Sequence, residues 1–349
     1  MRIAIVGAGS WGTALAQTLA LEGGEREVLL CARTEAAAAA MRESRHNPRY
    51  LSEIELDPDV HITADVPRAL EGAGVVVLAV PTAAMREVAG RVEPHVASDV
   101  VVVSAAKGFE EDSGMTMCSV LAQVLSASGA RIAALSGPNI AWEIARGLPA
   151  AGVVGGESAS AALVRDVFTG SRYRAYSTDD AIGVEYAGAL KNIIAIAAGA
   201  CDGIGAGDNG KAAILTRGLA EIARLGIAAG ARMMTFAGLA GLGDCVVTCT
   251  SPHSRNRRLG EAIARGATLE EARAQIGMVV EGVTTTRVAM RLAAEHGVDM
   301  PITREVHSVL FERKPVGIAL QDLMRRDPAE ELHGLAPPRS ITLDARTGE

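Results

Sequence analysis

An α/β fold with a doubly wound, mostly parallel sheet, followed by an all-α C-terminal domain, is predicted by three features of the sequence. Short apolar β-type runs alternate with helical stretches in the first half. A glycine-rich turn joins the first run to the first helix, and from about residue 182 the β-type runs give way to helical periodicity.

The β-type runs are 3–6, 28–31, 75–80, 100–103 and 132–135, with 151–155 and 173–177 closing the series. The first five are apolar on consecutive residues, as a strand covered on both faces requires. Helices fall between them, notably 13–22 and 35–43. The second half reads as helices 184–200, 212–229, 257–265, 269–276, 284–295 and 302–311, broken by glycine-rich stretches at 202–210 and 238–244. A chain of 349 residues exceeds what one core organises. The expected division is therefore a nucleotide-binding domain at 1–182, a helical substrate domain at 183–335 and a loose tail at 336–349.

Hydrophobic residues make 49% of the chain and charged ones 21%, which excludes a disordered polymer. A formal charge of −7 leaves no broad basic field for nucleic acid or an anionic membrane. No apolar run is expected to reach the roughly 18 to 20 residues of a spanning helix, and the N-terminus enters a strand pattern without a charged leader. A soluble, cytoplasmic protein is expected. The five cysteines are odd in number and lack paired spacing, so reduced thiols and no metal are expected, although Cys245 and Cys249 would face each other across one helical turn.

Gly7-Ala8-Gly9-Ser10-Trp11-Gly12 follows the first run directly and opens the first helix, with a second apolar run about 20 residues on. Such a loop binds a dinucleotide for physical reasons. Gly7 permits a tight turn, Gly9 lets the backbone approach the pyrophosphate, Gly12 lets helix pack on strand, and the helix N-terminus offers unpaired N–H groups. Context of this kind makes the first half a Rossmann-type domain. At the end of the second run an acid would bind the ribose 2′-hydroxyl of NAD, whereas an arginine accommodates the 2′-phosphate of NADP. Here stands Arg33, with Glu35 nearby, so NADPH is preferred and NAD is possible.

Hydride transfer to a ketone needs a proton donor, and a lysine lowered in pKa by burial or a neighbouring charge serves. Lys191 lies with Asn192 in an otherwise apolar helix, where the alternative is a side chain snorkelling to solvent. Lys107 follows the 100–103 run, and Gly137-Pro138-Asn139 follows the 132–135 run, both at the carboxyl rim where ligands of open α/β sheets gather. A solvated lysine and an ordinary turn are the plainer readings there. Ser254 fits a helix cap that puts Arg255 and Asn256 in the first turn, where an arginine opposes the helix dipole unless an anion such as phosphate relieves it. Asp244 fits either an acceptor for a lysine or substrate hydroxyl, or the cap of a following helix.

Six segments resemble, in order and to about Arg326, the bacterial NAD(P)-dependent glycerol-3-phosphate dehydrogenase family: Gly7 to Leu15, Ala106-Lys107-Gly108, Leu190-Lys191-Asn192, Leu215-Thr216-Arg217-Gly218-Leu219-Ala220-Glu221, Gly241-Leu242-Gly243-Asp244 and Ser254-Arg255-Asn256-Arg257. The resemblance implies a homodimer that interconverts dihydroxyacetone phosphate and sn-glycerol 3-phosphate for glycerophospholipid synthesis. It implies Lys191 as proton donor and acceptor. Lys107, Gly137, Asp244, Ser254, Arg255 and Asn256 match its substrate contacts. Ser10, Trp11, Arg33, Lys107, Ala141, Arg255, Val279 and Glu281 match its cofactor contacts, with Tyr50 beside them. The family usually has Ser or Thr after Gly-Pro; Asn139 stands there instead, an amide able to bond the substrate. The rivals are a dehydrogenase of hydroxy acids or sugar nucleotides, and a non-catalytic dinucleotide sensor.

Overall fold

The structure, a computed structural model, describes residues 1–22, 26–328, 330, 331 and 334; the tail expected at 336–349 lies outside them. The strands are β1 (Arg2–Val6), β2 (Glu27–Cys31), β3 (His46–Asn47), β4 (Leu51–Glu55), β5 (Val60–Thr63), β6 (Ala73–Leu78), β7 (Val101–Ser104), β8 (Arg131–Ser136), β9 (Ala150–Gly156) and β10 (Tyr173–Thr178). Eight of them form one sheet in the order β10-β9-β8-β7-β6-β1-β2-β5, and β3 pairs with β4 as a separate hairpin. Every described pair in the large sheet is parallel except β8 with β9.

The buried strands are those with continuous apolar runs, and all of them were expected from the sequence. β5 and the β3–β4 hairpin were not. Val60–Thr63 is four residues long at the sheet edge, and Leu51–Glu55 buries only Leu51 and Ile54, so neither carries a run long enough to stand out. Helices α1 (Ser10–Leu21), α2 (Glu35–Ser44), α3 (Val66–Leu70), α4 (Met85–Val92), α5 (Met117–Val124), α6 (Ala141–Ala145) and α7 (Ser158–Phe168) connect the strands. Helix α1 starts inside the glycine motif rather than after it.

The rest is helical: α8 (Ala181–Ile204), α9 (Gly207–Ala228), α10 (Met233–Phe236), a π-turn (Leu239–Gly243), α11 (Asp244–Thr250), α12 (Arg255–Ala264), α13 (Leu269–Ile276), α14 (Glu281–His296), α15 (Pro301–Phe311) and α16 (Val316–Met324). Two expectations need correction. The glycine run at 202–210 is largely helix: α8 continues to Ile204, Gly205 closes it in the left-handed conformation at φ +70°, and α9 starts at Gly207. The expectation that no segment has the length and apolarity of a membrane span also fails. Helix α8 has a window of mean hydropathy 1.3, and Met233–Thr250 one of 1.4. Scattered polar residues such as Lys191 interrupt the α8 run without lowering its average, and 89% of its window is buried inside the protein.

Helix α8 is the axis of the second core. A Cβ on Gly199 would lie 1.8 Å from the Arg257 carbonyl oxygen, and one on Gly260 1.9 Å from that of Ile196, so the glycines let α8 and α12 touch backbone to backbone. The same core takes in Phe109 and Ala134 from the sheet side, bringing the middle of α8 to the carboxyl rim of the sheet.

Candidate active site

At the carboxyl end of β1 the chain turns sharply. Gly7 has φ +113°, donates its N–H to the Cys31 carbonyl at 3.0 Å, and has no room for a side chain. Gly12 is equally constrained, because its Cβ would fall 1.9 Å from the Gly7 oxygen. Gly9 differs: nothing lies within 4 Å of where its Cβ would be. It precedes a helix whose first N–H groups have no side-chain cap. The buried Trp11 indole N–H has no protein partner. An open backbone surface, free amide donors and an orphaned donor fit a dinucleotide pyrophosphate laid across Gly7, Gly9, Ser10, Trp11 and Gly12.

At the end of β2, Arg33 is exposed and has no ion-pair partner among the described residues, whereas Glu35 is paired with Arg42. The arginine is thus the group left open to a ribose 2′-phosphate. Tyr50 is half-buried in the turn of the β3–β4 hairpin, and Ala141 is the first residue of α6.

Three ionisable groups from distant segments converge beyond this loop. Lys191, 5% exposed on α8, donates to Asp244 Oδ1 at 2.7 Å and to Thr248 Oγ1. Lys107, just past β7, donates to Asp244 Oδ2 at 2.7 Å and to the Gly137 carbonyl at 2.8 Å. Asp244, 1% exposed, is the first residue of α11 and caps nothing on that helix, so of the two sequence readings the lysine acceptor holds. Thr248, one turn on, donates to Asp244 Oδ1 at 3.1 Å.

The electrostatics follow from burial and charge together. Burial pushes the Asp244 carboxyl up, but the two ammoniums more than offset this and hold it below its ordinary range. Burial, with the nearby Lys191 charge, brings Lys107 down to about 8 against the pull of Asp244. One carboxylate and two ammoniums leave the pocket locally positive.

Around this cluster the remaining predicted residues divide. Ser254 is buried and its hydroxyl accepts the Arg257 N–H at 3.2 Å, capping α12 as expected. Arg255 is exposed and donates to the Val279 carbonyl at 2.8 Å. Glu281 accepts from the Thr82 N–H at 3.1 Å and hydroxyl at 2.6 Å, tying α14 to the loop after β6. The Asn256 amide is engaged inside the fold, donating to Asn192 at 2.8 Å and accepting from the Gly282 N–H at 3.0 Å. Asn139 accepts from the Tyr173 hydroxyl at 3.1 Å, and its buried NH2 has no protein partner.

Thr248 and Thr82 escaped the sequence reading. Thr248 was within reach of it, four residues after Asp244, had 244–250 been read as helix. Cys245 and Cys249 do face each other, Sγ to Sγ 3.9 Å, and all five cysteines are free. Among the described residues no group of three or more His, Cys, Asp or Glu is placed to hold a metal.

Comparison with known proteins agrees with this geometry. Residues 2–162 match the family model of the NAD-dependent glycerol-3-phosphate dehydrogenase N-terminus, and 180–321 that of its C-terminus. A Moorella thermoacetica protein named glycerol-3-phosphate dehydrogenase [NAD(P)+] is 49% identical over 95% of this chain and 97% of its own length. A Salinibacter ruber protein named glycerol-3-phosphate dehydrogenase [NAD(P)+] 2 is 48% identical over 94% of this chain and 96% of its own length. Among solved structures, glycerol-3-phosphate dehydrogenase from Coxiella burnetii superposes with a TM-score of 0.87 at 38% identity, covering 93% of this chain and 99% of that one.

Proposed function

The chain belongs to the NAD-dependent glycerol-3-phosphate dehydrogenase family, and from that premise we propose that it interconverts dihydroxyacetone phosphate and sn-glycerol 3-phosphate with NAD(P)H, supplying glycerophospholipid synthesis. The observation that carries the reading is the buried Lys107–Asp244–Lys191 cluster, with Lys107 at the carboxyl end of a strand in the same sheet that carries the Gly7–Gly12 loop.

The reduced nicotinamide, when bound, supplies the hydride that the ketone carbon receives. Lys191 delivers a proton from Nζ to the developing alkoxide oxygen and recovers it in the reverse direction. Asp244 and Thr248 hold that ammonium in place. Lys107 and the Gly137-Pro138-Asn139 turn orient the substrate oxygens. Ser254, Arg255 and Asn256 border the phosphate, whose binding energy brings the carbonyl into register. Gly7, Gly9, Ser10, Trp11, Gly12, Arg33, Tyr50, Lys107, Ala141, Arg255, Val279 and Glu281 border the cofactor, with NADPH preferred through Arg33 and NAD accepted.

The same reading assigns nucleotide binding to 1–182 and substrate handling to 183–335, in a cytoplasmic homodimer that engages neither nucleic acid nor membrane. The test is absorbance of the reduced nicotinamide on adding dihydroxyacetone phosphate, with NADPH and with NADH. Consumption of the reduced cofactor is expected; none with either sinks the reading. Lys191→Ala is expected to cut turnover by roughly 100-fold or more, and retained turnover would move the proton donor elsewhere.

A further inference from the structure

Trp142 has no role in the site as described, yet it joins three segments that border it. It is the second residue of α6, next to Ala141. Its indole stacks on the His253 imidazole, centroids 5.3 Å apart and planes 23° from parallel. Its N–H donates to Glu53 of the β3–β4 hairpin at 3.4 Å, and the Arg146 guanidinium lies 4.5 Å from the ring centroid. His253, whose own N–H is held by the Ser251 hydroxyl at 3.2 Å, immediately precedes Ser254 and Arg255.

Trp142 is half-buried and packs on the edge of the first core, whereas His253 is exposed, so the stack itself lies at the surface. What it does fix is orientation: parallel rings hold a planar side chain, and with it the 251–254 turn that starts α12. We propose that Trp142 is a positioning residue for the substrate phosphate, clasping His253 so that Ser254 and Arg255 are already in place when the substrate arrives. This rests on the reading of those two residues as the phosphate border. Without the clasp the turn must be ordered on binding, which weakens substrate affinity and leaves the chemistry of Lys191 untouched.

Steady-state kinetics of the full chain with dihydroxyacetone phosphate and NADPH test it, using His253→Ala, Trp142→Ala, their double variant and Trp142→Phe. His253 is on the surface, so its removal leaves the fold intact. Both alanine variants are expected to raise KM for dihydroxyacetone phosphate about 3- to 10-fold, with kcat and the KM for NADPH within about two-fold. The double variant is expected to be no worse than the weaker-binding single one, because the two rings act as one unit. Trp142→Phe keeps a stacking ring and restores most of the affinity. An unchanged KM in His253→Ala, additive losses in the double variant, or a fall in kcat without a rise in KM overturns the clasp. A wild-type chain that consumes no NADPH with this substrate overturns the function itself, a distinct result.

Discussion

Asp244 shares one carboxylate between two lysines. Lys107, brought down to about 8, is an ammonium below that pH and an amine above it. If Lys107 contacts the anionic substrate as proposed, kcat/KM for dihydroxyacetone phosphate is expected to fall above about pH 8, the free-enzyme limb of the profile. Lys107→Arg, permanently charged, should lose affinity yet flatten that limb; a wild-type profile level to pH 9.5 or so would show that Lys107 does not set it. Arg33 makes a second prediction. With Glu35 held by Arg42, Arg33→Asp should weaken NADPH far more than NADH in binding titrations, and equal weakening would remove Arg33 from the choice. These residues were legible in the sequence because each was chemically out of place, a lysine in an apolar helix or a charge after a strand. Thr82 was not, for its partner Glu281 is 199 positions away and only the fold makes them neighbours.

At the scale of the element, one type of substitution should have opposite signs in two helices. Gly199→Ala puts a methyl group 1.8 Å from the Arg257 oxygen and must push α12 off α8, costing roughly 1–3 kcal/mol or more. Gly90, exposed on α4, has nothing within 4 Å of its Cβ site. There, alanine should stabilise by about 0.5–1 kcal/mol through helix propensity alone. Denaturant midpoints measure both, and loss of stability at Gly90 or none at Gly199 would contradict the packing. The same contrast explains what the sequence concealed. A glycine read in isolation means a turn, and the run at 202–210 was read so, but Gly203 sits inside α8 because a Cβ would lie 2.5 Å from Ala264 of α12. Buried strands announce themselves by continuous apolar runs; edge strand β5 and the β3–β4 hairpin, half-exposed, do not.

The whole molecule carries −7, yet the buried Lys107–Asp244–Lys191 cluster is positive. An anion therefore approaches through a repelling outer field toward an attracting centre, and salt screens the two unequally, because exposed charges are screened within about 10 Å at 0.1 M while buried ones are not. KM for dihydroxyacetone phosphate is expected to change by no more than about two-fold between 20 and 200 mM salt, smaller than for an enzyme steered by surface lysines. A steep rise in KM would place the attraction on the surface, not in the Lys107–Asp244–Lys191 cluster. The order of a parallel-dominated sheet followed by helices was legible from periodicity. The way α8 threads the second core up to the sheet rim was not, since it depends on glycine contacts between α8 and α12 that no local pattern records.

The placement of Asp244 between two ammoniums has one more consequence. In the proposed step, where Lys191 gives up its proton, the buried carboxylate is not stranded, because Lys107 still holds its other oxygen at 2.7 Å. A lone buried charge would cost several kcal/mol and set that much against the chemical step. Here the site passes from an excess positive charge to a closed, neutral pair, so proton delivery moves the protein toward electrical balance rather than away from it.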